Sequence, residues 1–272
     1  MQVTLLGTGD TAGTPVPRCD CATCERARET GQRRSRFSVH VKNERTGQRL
    51  LIDASPDFRQ QFLDTDVALP DAAIITHVHF DHLDGLGNVY RLLDRLPVHA
   101  ANETDPETGE SVAETVRRRY NYLHQVEVFP ETPFEPFEAA GFEITLVPVV
   151  HPPLLSYGLR VEGEEAVLSL TGDTSYAIPE RSQTVLSGAD LLLAEAIVPA
   201  AMCEKHPLGG RHPDENGVYR SFGTKHMTKE GALDMAERLD AEQVRLVHLS
   251  HRYPAEQAFG PKLGVDGEQI VL

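Results

Sequence analysis

Four side chains able to bind a metal fall within six residues in His77-Val78-His79-Phe80-Asp81-His82. Imidazole and carboxylate suit borderline divalent cations such as zinc and manganese. His77 and His79 are two apart, so on an extended segment they point the same way. A turn then presents Asp81 and His82 from another angle, and one loop can feed two ions. The competing reading is a polar surface loop with scattered histidines. With 12 His in 272 residues, so dense a cluster argues against it.

Three more ionisable groups stand where apolar runs end. His151 follows Phe142–Val150, Asp173 follows Ala166–Leu170, and His248 follows Val244–Val247. A rigid sheet fixes groups at its strand ends while loops leave access to them. Singly, each would read as an ordinary core or surface residue. As a set behind the first cluster they are candidate ligands. Asp53, after Leu51-Ile52, reads as hydrogen-bonding support for the ligands. Asp84 either does the same or stabilises the helix start that follows it.

Cys19, Cys21 and Cys24 form a C-x-C-x-x-C cluster, which in a reducing compartment holds metal more often than disulfides. A tetrahedral zinc site needs a fourth ligand. His251, three residues after His248, is the candidate. Cys203 stands apart and reads as an idle thiol. His226 lies just before a predicted helix, whose N-terminus is a natural seat for phosphate oxygens. An imidazole there can protonate a leaving alkoxide. His206 and His212, in the irregular stretch 199–225, read as solvated loop residues, and Arg117, Arg118 and Arg119 as a solvated helix face.

The elements that must position these groups alternate irregularly. Strands are predicted at Val3–Leu6, Phe37–Val41, Leu50–Ile52, Ala72–Ile75, Phe142–Val150, Ser156–Val161, Ala166–Leu170, Leu191–Ala194 and Val244–Val247. Gly47 is the turn residue of the first hairpin. Helices are predicted at Glu25–Thr30, at Pro56–Leu63 behind Ser55, at Pro106–Leu123, and at Lys229–Leu239 with Thr228 as N-cap. This pattern suggests two sheets packed face to face with helices outside, in a single domain over 1–272. The stretch 199–225, rich in Pro and Gly, is expected to be a long functional or mobile loop.

With H-x-H-x-D-H at 77–82 followed in order by His151, Asp173 and His248, the chain resembles the metallo-β-lactamase-fold hydrolases that bridge two metals with a carboxylate. The resemblance spans nearly the whole chain. It implies an α/β fold, a four-layer αββα sandwich with a dinuclear site at one edge. One metal would take His77, His79 and His151, the other Asp81, His82 and His248, with Asp173 between them. Phosphodiester or thioester hydrolysis is implied more than β-lactam cleavage. The early C-x-C-x-x-C, the late His248-Leu249-Ser250-His251 and His226 resemble the phosphoribosyl cyclic phosphodiesterases of bacterial phosphonate breakdown. That resemblance implies a structural zinc on Cys19, Cys21, Cys24 and His251. It also implies hydrolysis of small cyclic phosphodiesters, with Asp81 and His226 as catalytic residues and two zinc or manganese ions as cofactors. A group acting in quinone-cofactor biosynthesis shares the cysteine motif.

Composition narrows the partners. Net charge is −15, with 26 basic and 41 acidic residues and only five lysines. Such a balance suits either a high-salt habitat, where repulsion is screened, or simply an acidic enzyme. It argues against nucleic acid, whose affinity rests on Lys and Arg displacing counterions. The rival of the same fold, a transfer-RNA 3′-processing nuclease, needs a basic arm. The stretch 199–225 mixes Lys205, Arg211, Arg220 and Lys225 with Glu204, Asp214 and Glu215, a poor arm. A non-catalytic metal- or small-molecule-binding protein is the other rival. No apolar run is long enough to span a bilayer, and Met1–Leu6 runs directly into a strand, so the expected address is the cytoplasm. The expected partners are a small phosphodiester and a second copy of the chain.

Overall fold

The computed structural model describes residues 1–203 and 213–272. His206, His212, Lys205 and Arg211 lie outside the described residues. A seven-stranded sheet is built from β1 (Gln2–Gly7), β2 (Ser38–Lys42), β3 (Arg49–Ile52), β4 (Ala72–Ile75), β5 (Leu96–Ala101), β6 (Val126–Glu131) and β15 (Gln269–Val271). Its order is β15-β1-β2-β3-β4-β5-β6. A six-stranded sheet contains β7 (Phe137–Ala139), β8 (Phe142–Val149), β9 (Ser156–Glu162), β10 (Val167–Leu170), β11 (Leu191–Glu195) and β14 (Gln243–Val247), in the order β14-β11-β10-β9-β8-β7.

Strand periodicity divides the side chains of the second sheet between two cores. On β11, Leu191 and Leu193 enter the core shared with the first sheet. Leu192 and Ala194 enter a second core with Ala232, Met235 and Ala236 of α6 (Lys229–Arg238). Each fully buried leucine contributes roughly 1.5–3 kcal/mol of transfer free energy. Strands buried on both faces therefore read as continuous apolar runs. α4 (Val112–Arg119) lies on β5 and β6, α5 (Glu180–Leu186) on β8 and β9, and α6 on β11 and β14. The result is the four-layer αββα arrangement. Among the described residues no helix is long and apolar enough to cross a membrane.

Several predicted bounds are corrected. The helix expected over 106–123 is α4 alone, and it starts at a capping box in which Ser111 and Glu114 satisfy each other's backbone N–H. Before it, Asp105 Oδ1 accepts from the N–H of Glu107 and Thr108, and Gly109 turns left-handed, so the chain coils rather than spirals. α1 (Ala22–Thr30) begins three residues before the expected Glu25, and Ser55 does not cap α2 (Phe58–Thr65). Its hydroxyl accepts from Asp57 N–H inside a turn, and the helix begins one residue after Asp57. Within the stretch expected to be loop, β12 (Ser221–Phe222) runs into a hairpin with β13 (His226–Met227). His226 is therefore held on a ribbon rather than in a free segment. Thr228 caps α6 as expected, accepting from Gly231 N–H.

Candidate metal centre

The parallel strands β10, β11 and β14 end side by side, and so do β3 and β4 of the facing sheet. The C-terminal ends of parallel strands are where open α/β sheets place their ligands. His77 and His79 follow β4, and the short helix α3 (Phe80–Leu83) turns Asp81 and His82 back toward them. His151 follows β8, Asp173 follows β10, and His248 follows β14 with a left-handed φ of 55°. That backbone region is costly for a residue other than glycine and is met most often at functional positions. Gly172 makes the matching turn before Asp173. A Cβ there would sit 2.4 Å from the carbonyl oxygen of Tyr157.

The donor atoms converge as metal ligands do. His79 Nδ1 lies 3.0 Å from His77 Nε2 and 3.3 Å from His151 Nε2. Two nitrogens on one tetrahedral zinc are about 3.3–3.4 Å apart. Asp81 Oδ2 lies 3.5 Å from His82 Nε2 and 3.5 Å from His248 Nε2. Asp173 Oδ2 stands 3.2 Å from His248 Nε2, 3.5 Å from His82 Nε2 and 3.9 Å from His77 Nε2, so it faces both groups. His82 Nε2, both ring nitrogens of His248 and Asp81 Oδ1 are buried without a hydrogen-bond partner. Buried polar atoms rarely remain unmatched, and a pair of divalent cations fits this donor set.

Neighbouring groups fix which nitrogen each ring presents. Asp53, completely buried, accepts from His82 Nδ1 at 2.7 Å and from Thr76 Oγ1 at 2.8 Å. Thr76 Oγ1 in turn accepts from His77 Nδ1 at 3.1 Å. One carboxylate thus aims the Nε2 atoms of two rings. His151 Nδ1 donates to the carbonyl of Lys225 at 3.0 Å. Thr11 Oγ1 donates to Asp81 Oδ2 at 2.6 Å. Burial opposes charge on His82, yet Asp173, Asp53 and Asp81 together push its pKa well above the ordinary value. Burial alone would raise the carboxyl of Asp173, but His248, His82 and His77 hold it well below the usual range. Asp173 is thereby kept ionised.

Glu195, at the end of β11, was not anticipated. It is buried, accepts from His226 Nδ1 at 2.8 Å, and lies 3.6 Å from His248 Nδ1. Backbone N–H groups of Thr174 and Met227 donate to its other oxygen. An acid ending an apolar run is the signal that marked Asp173, and it stood in the sequence at 195 as well. The His226 ring packs 4.9 Å from His151 and 5.4 Å from His248, with a nitrogen within 4.8 Å of donor atoms of His151 and Asp173. Asp84 lies elsewhere, accepting from Tyr120 and pairing with Arg119. Arg118 pairs with Glu110, both partly exposed. Cys203 is buried beside Ile197 and Val198.

The thiol cluster is a second convergence. His251 Nδ1 lies 3.5 Å from Cys19 Sγ, 3.5 Å from Cys21 Sγ and 3.6 Å from Cys24 Sγ. One nitrogen cannot hydrogen-bond three thiols. Sulfur and nitrogen on a tetrahedral zinc, at about 2.3 and 2.0–2.1 Å, stand about 3.5–3.6 Å apart. The spacing therefore fits a zinc ion.

Fold and centre together define a protein of metallo-β-lactamase fold with a candidate dinuclear metal centre. The beta-lactamase superfamily domain matches residues 48–249, and the chain belongs to that family. Over 94% of its length it is 29% identical to an octanoyltransferase of Porphyromonas gingivalis, but that match covers only 47% of the relative. The chain spans less than half the length of the first curated relatives it matches. A diphosphatase of the PhnP family superposes with a TM-score of 0.77 at 29% identity, covering 100% of this chain and 97% of that one. Zinc-bound PqqB from Methylobacterium extorquens superposes with a TM-score of 0.76 at 19% identity, covering 100% of both chains, a likeness of fold.

Proposed function

We propose that the chain hydrolyses small phosphodiesters, cyclic ones such as phosphoribosyl cyclic phosphate included, with two divalent cations. The observation that carries this reading is the shared carboxylate: Asp173 Oδ2 faces His77, His82 and His248 at once, so the donors form two overlapping sets. His77, His79 and His151 would hold one cation, Asp81, His82 and His248 the other, and Asp173 both. Bound zinc or manganese supplies Lewis acidity and acidifies water at neutral pH. The similarity to a PhnP-family diphosphatase supports a phosphorus substrate. Acyl transfer, named for the Porphyromonas relative, is not carried over from a match to less than half of that protein.

The chain's own groups do the remaining work. Glu195 engages His226 Nδ1 and leaves Nε2 as the nitrogen free to protonate the leaving alkoxide, a contribution of roughly 10²–10⁴-fold. Thr11 fixes the free rotation of Asp81 by donating to Oδ2. Cys19, Cys21, Cys24 and His251 would hold a structural zinc that joins the N-terminal segment to the turn following His248.

The test is turnover of bis-p-nitrophenyl phosphate, phosphoribosyl cyclic phosphate and pre-tRNA by manganese- or zinc-loaded protein. Hydrolysis of the two small diesters without cleavage of pre-tRNA is expected. No turnover at full metal occupancy would leave a binding protein, and preferential cleavage of pre-tRNA would make the chain a nuclease.

A further inference from the structure

The loop after β1 reaches the metal centre, and one of its carboxylate oxygens is left over there. Gly9 bridges to Leu249, and the Asp10 N–H donates to the Leu249 carbonyl at 3.2 Å, one residue beyond His248. Thr11 Oγ1 donates to Asp81 Oδ2 at 2.6 Å. Asp10 is therefore pinned between contacts to the neighbourhoods of two candidate ligands. Its Oδ1 accepts from the N–H groups of Ala12 and Gly13, each at 3.1 Å. Its Oδ2 has no hydrogen-bond partner among the described residues and, unlike Asp81 Oδ1, is not sealed from solvent. The residue as a whole is half-buried. It takes no part in the wall of the neighbouring cavity lined by Ala12, Gly13 and Thr14. Its charge acts on the centre instead. Burial pushes the pKa of His226 down, and the charges that oppose this are Asp173 first, then Asp10, then Asp81. Burial likewise pushes the carboxyl of Asp10 up, against the pull of His248.

His226 Nδ1 donates to Glu195 at 2.8 Å, so Nε2 is the nitrogen left to meet the leaving oxygen. A free carboxylate oxygen near that ring stands where the carbon skeleton of the leaving alcohol must lie. It repels phosphoryl oxygens, whose charge the cations would meet, and it favours a hydroxyl as donor. Such a charge-assisted bond is roughly twice as strong as a neutral one. A site built to bond a substrate hydroxyl rejects the analogue that lacks it, because the acceptor is then left unpaired. We propose that Asp10 is a specificity-determining residue. Its Oδ2 accepts a hydrogen bond from a hydroxyl on the carbon next to the one bearing the leaving oxygen, which selects diesters of polyols and sugars. This rests on the phosphodiesterase reading, with His226 at the leaving group.

Glycerol 1,2-cyclic phosphate and propane-1,2-diol cyclic phosphate differ in that one hydroxyl. So do their ring-opened products, glycerol 1-phosphate and propane-1,2-diol 1-phosphate. Isothermal titration of the metal-loaded protein with the two products, beside kcat/KM for the two cyclic diesters, tests the proposal in wild type, Asp10→Ser and Asp10→Asn. Wild type is expected to bind glycerol 1-phosphate about tenfold more tightly than the propanediol ester and to show the same preference in kcat/KM. Asp10→Ser retains a hydroxyl that can accept from Ala12 and Gly13, and it should bring the ratio to about one. Asp10→Asn keeps Oδ1 for both N–H groups and replaces the free oxygen by an amide, so the ratio should fall to about three. That variant decides the matter should Asp10→Ser fail to fold. A wild-type ratio near one overturns the proposal. So does a ratio that the variants leave unchanged, equal weakening of both ligands included, which would mark Asp10 as merely structural. A wild-type binding preference that Asp10→Ser abolishes, with neither diester hydrolysed, overturns the hydrolytic reading alone and leaves the hydroxyl contact standing.

Discussion

Asp53 holds two imidazoles with one carboxylate, and Glu195 faces two more, so the candidate ligands are positioned by groups that would touch no metal. Such outer contacts set ring orientation and tautomer. At this scale two outcomes follow. Asp173→Ala removes the atom common to both donor sets, and metal analysis should find the centre emptied along with activity. His226→Ala should retain both metals and lose roughly 10²–10⁴-fold in kcat. Loss of metal instead would make His226 a ligand. Glu195→Gln should lower kcat with little change in KM, since it orients His226 rather than contacting substrate.

Two of the missed elements contain residues that contradict their secondary structure locally. β5 and β6 carry Pro97 and Pro130, which remove ladder donors and weaken a strand reading. β6 tolerates its proline because it lies at the sheet edge. β2 carries an unusual inward histidine. His40 is 3% exposed, its Nε2 donates to the Ala68 carbonyl at 3.1 Å, and burial pushes its pKa down to about 4. The folded chain therefore resists protonation that the unfolded chain accepts at its ordinary value near 6.5. The stability this provides is present above pH 6.5 and is lost as pH falls toward 4, to a limit of about 3 kcal/mol. Urea midpoints measured across that range should decline less steeply for His40→Gln than for wild type. Parallel slopes would show that His40 contributes nothing to acid sensitivity.

For the molecule as a whole, the thiol cluster is a tie between distant parts of the chain. It brings residues 19–24 against His251, three positions beyond His248. Binding that occurs only in the folded state stabilises it by linkage. Cys21→Ser should therefore lose one zinc per chain and lower Tm by about 5–10 °C, while the metals at the histidine centre stay bound. Metal analysis beside a thermal melt separates the two: loss of all metal would mean that the sites are not independent.

The chain's local pattern was enough to mark the seven candidate donors that the fold brings together, the thiol cluster and most strands of the second sheet. Donor chemistry depends on residue type, and strands buried on both faces are apolar throughout. It also marked Asp53, because that acid ends a strand beside the cluster. Glu195 carried a similar mark but acquired meaning only when β11 placed it between His226 and His248. The free oxygen of Asp10 had no local sign at all. Whether a carboxylate oxygen is engaged depends on which donors the fold brings to it, and those pairings join residues as far apart as Ser35 and Asp266.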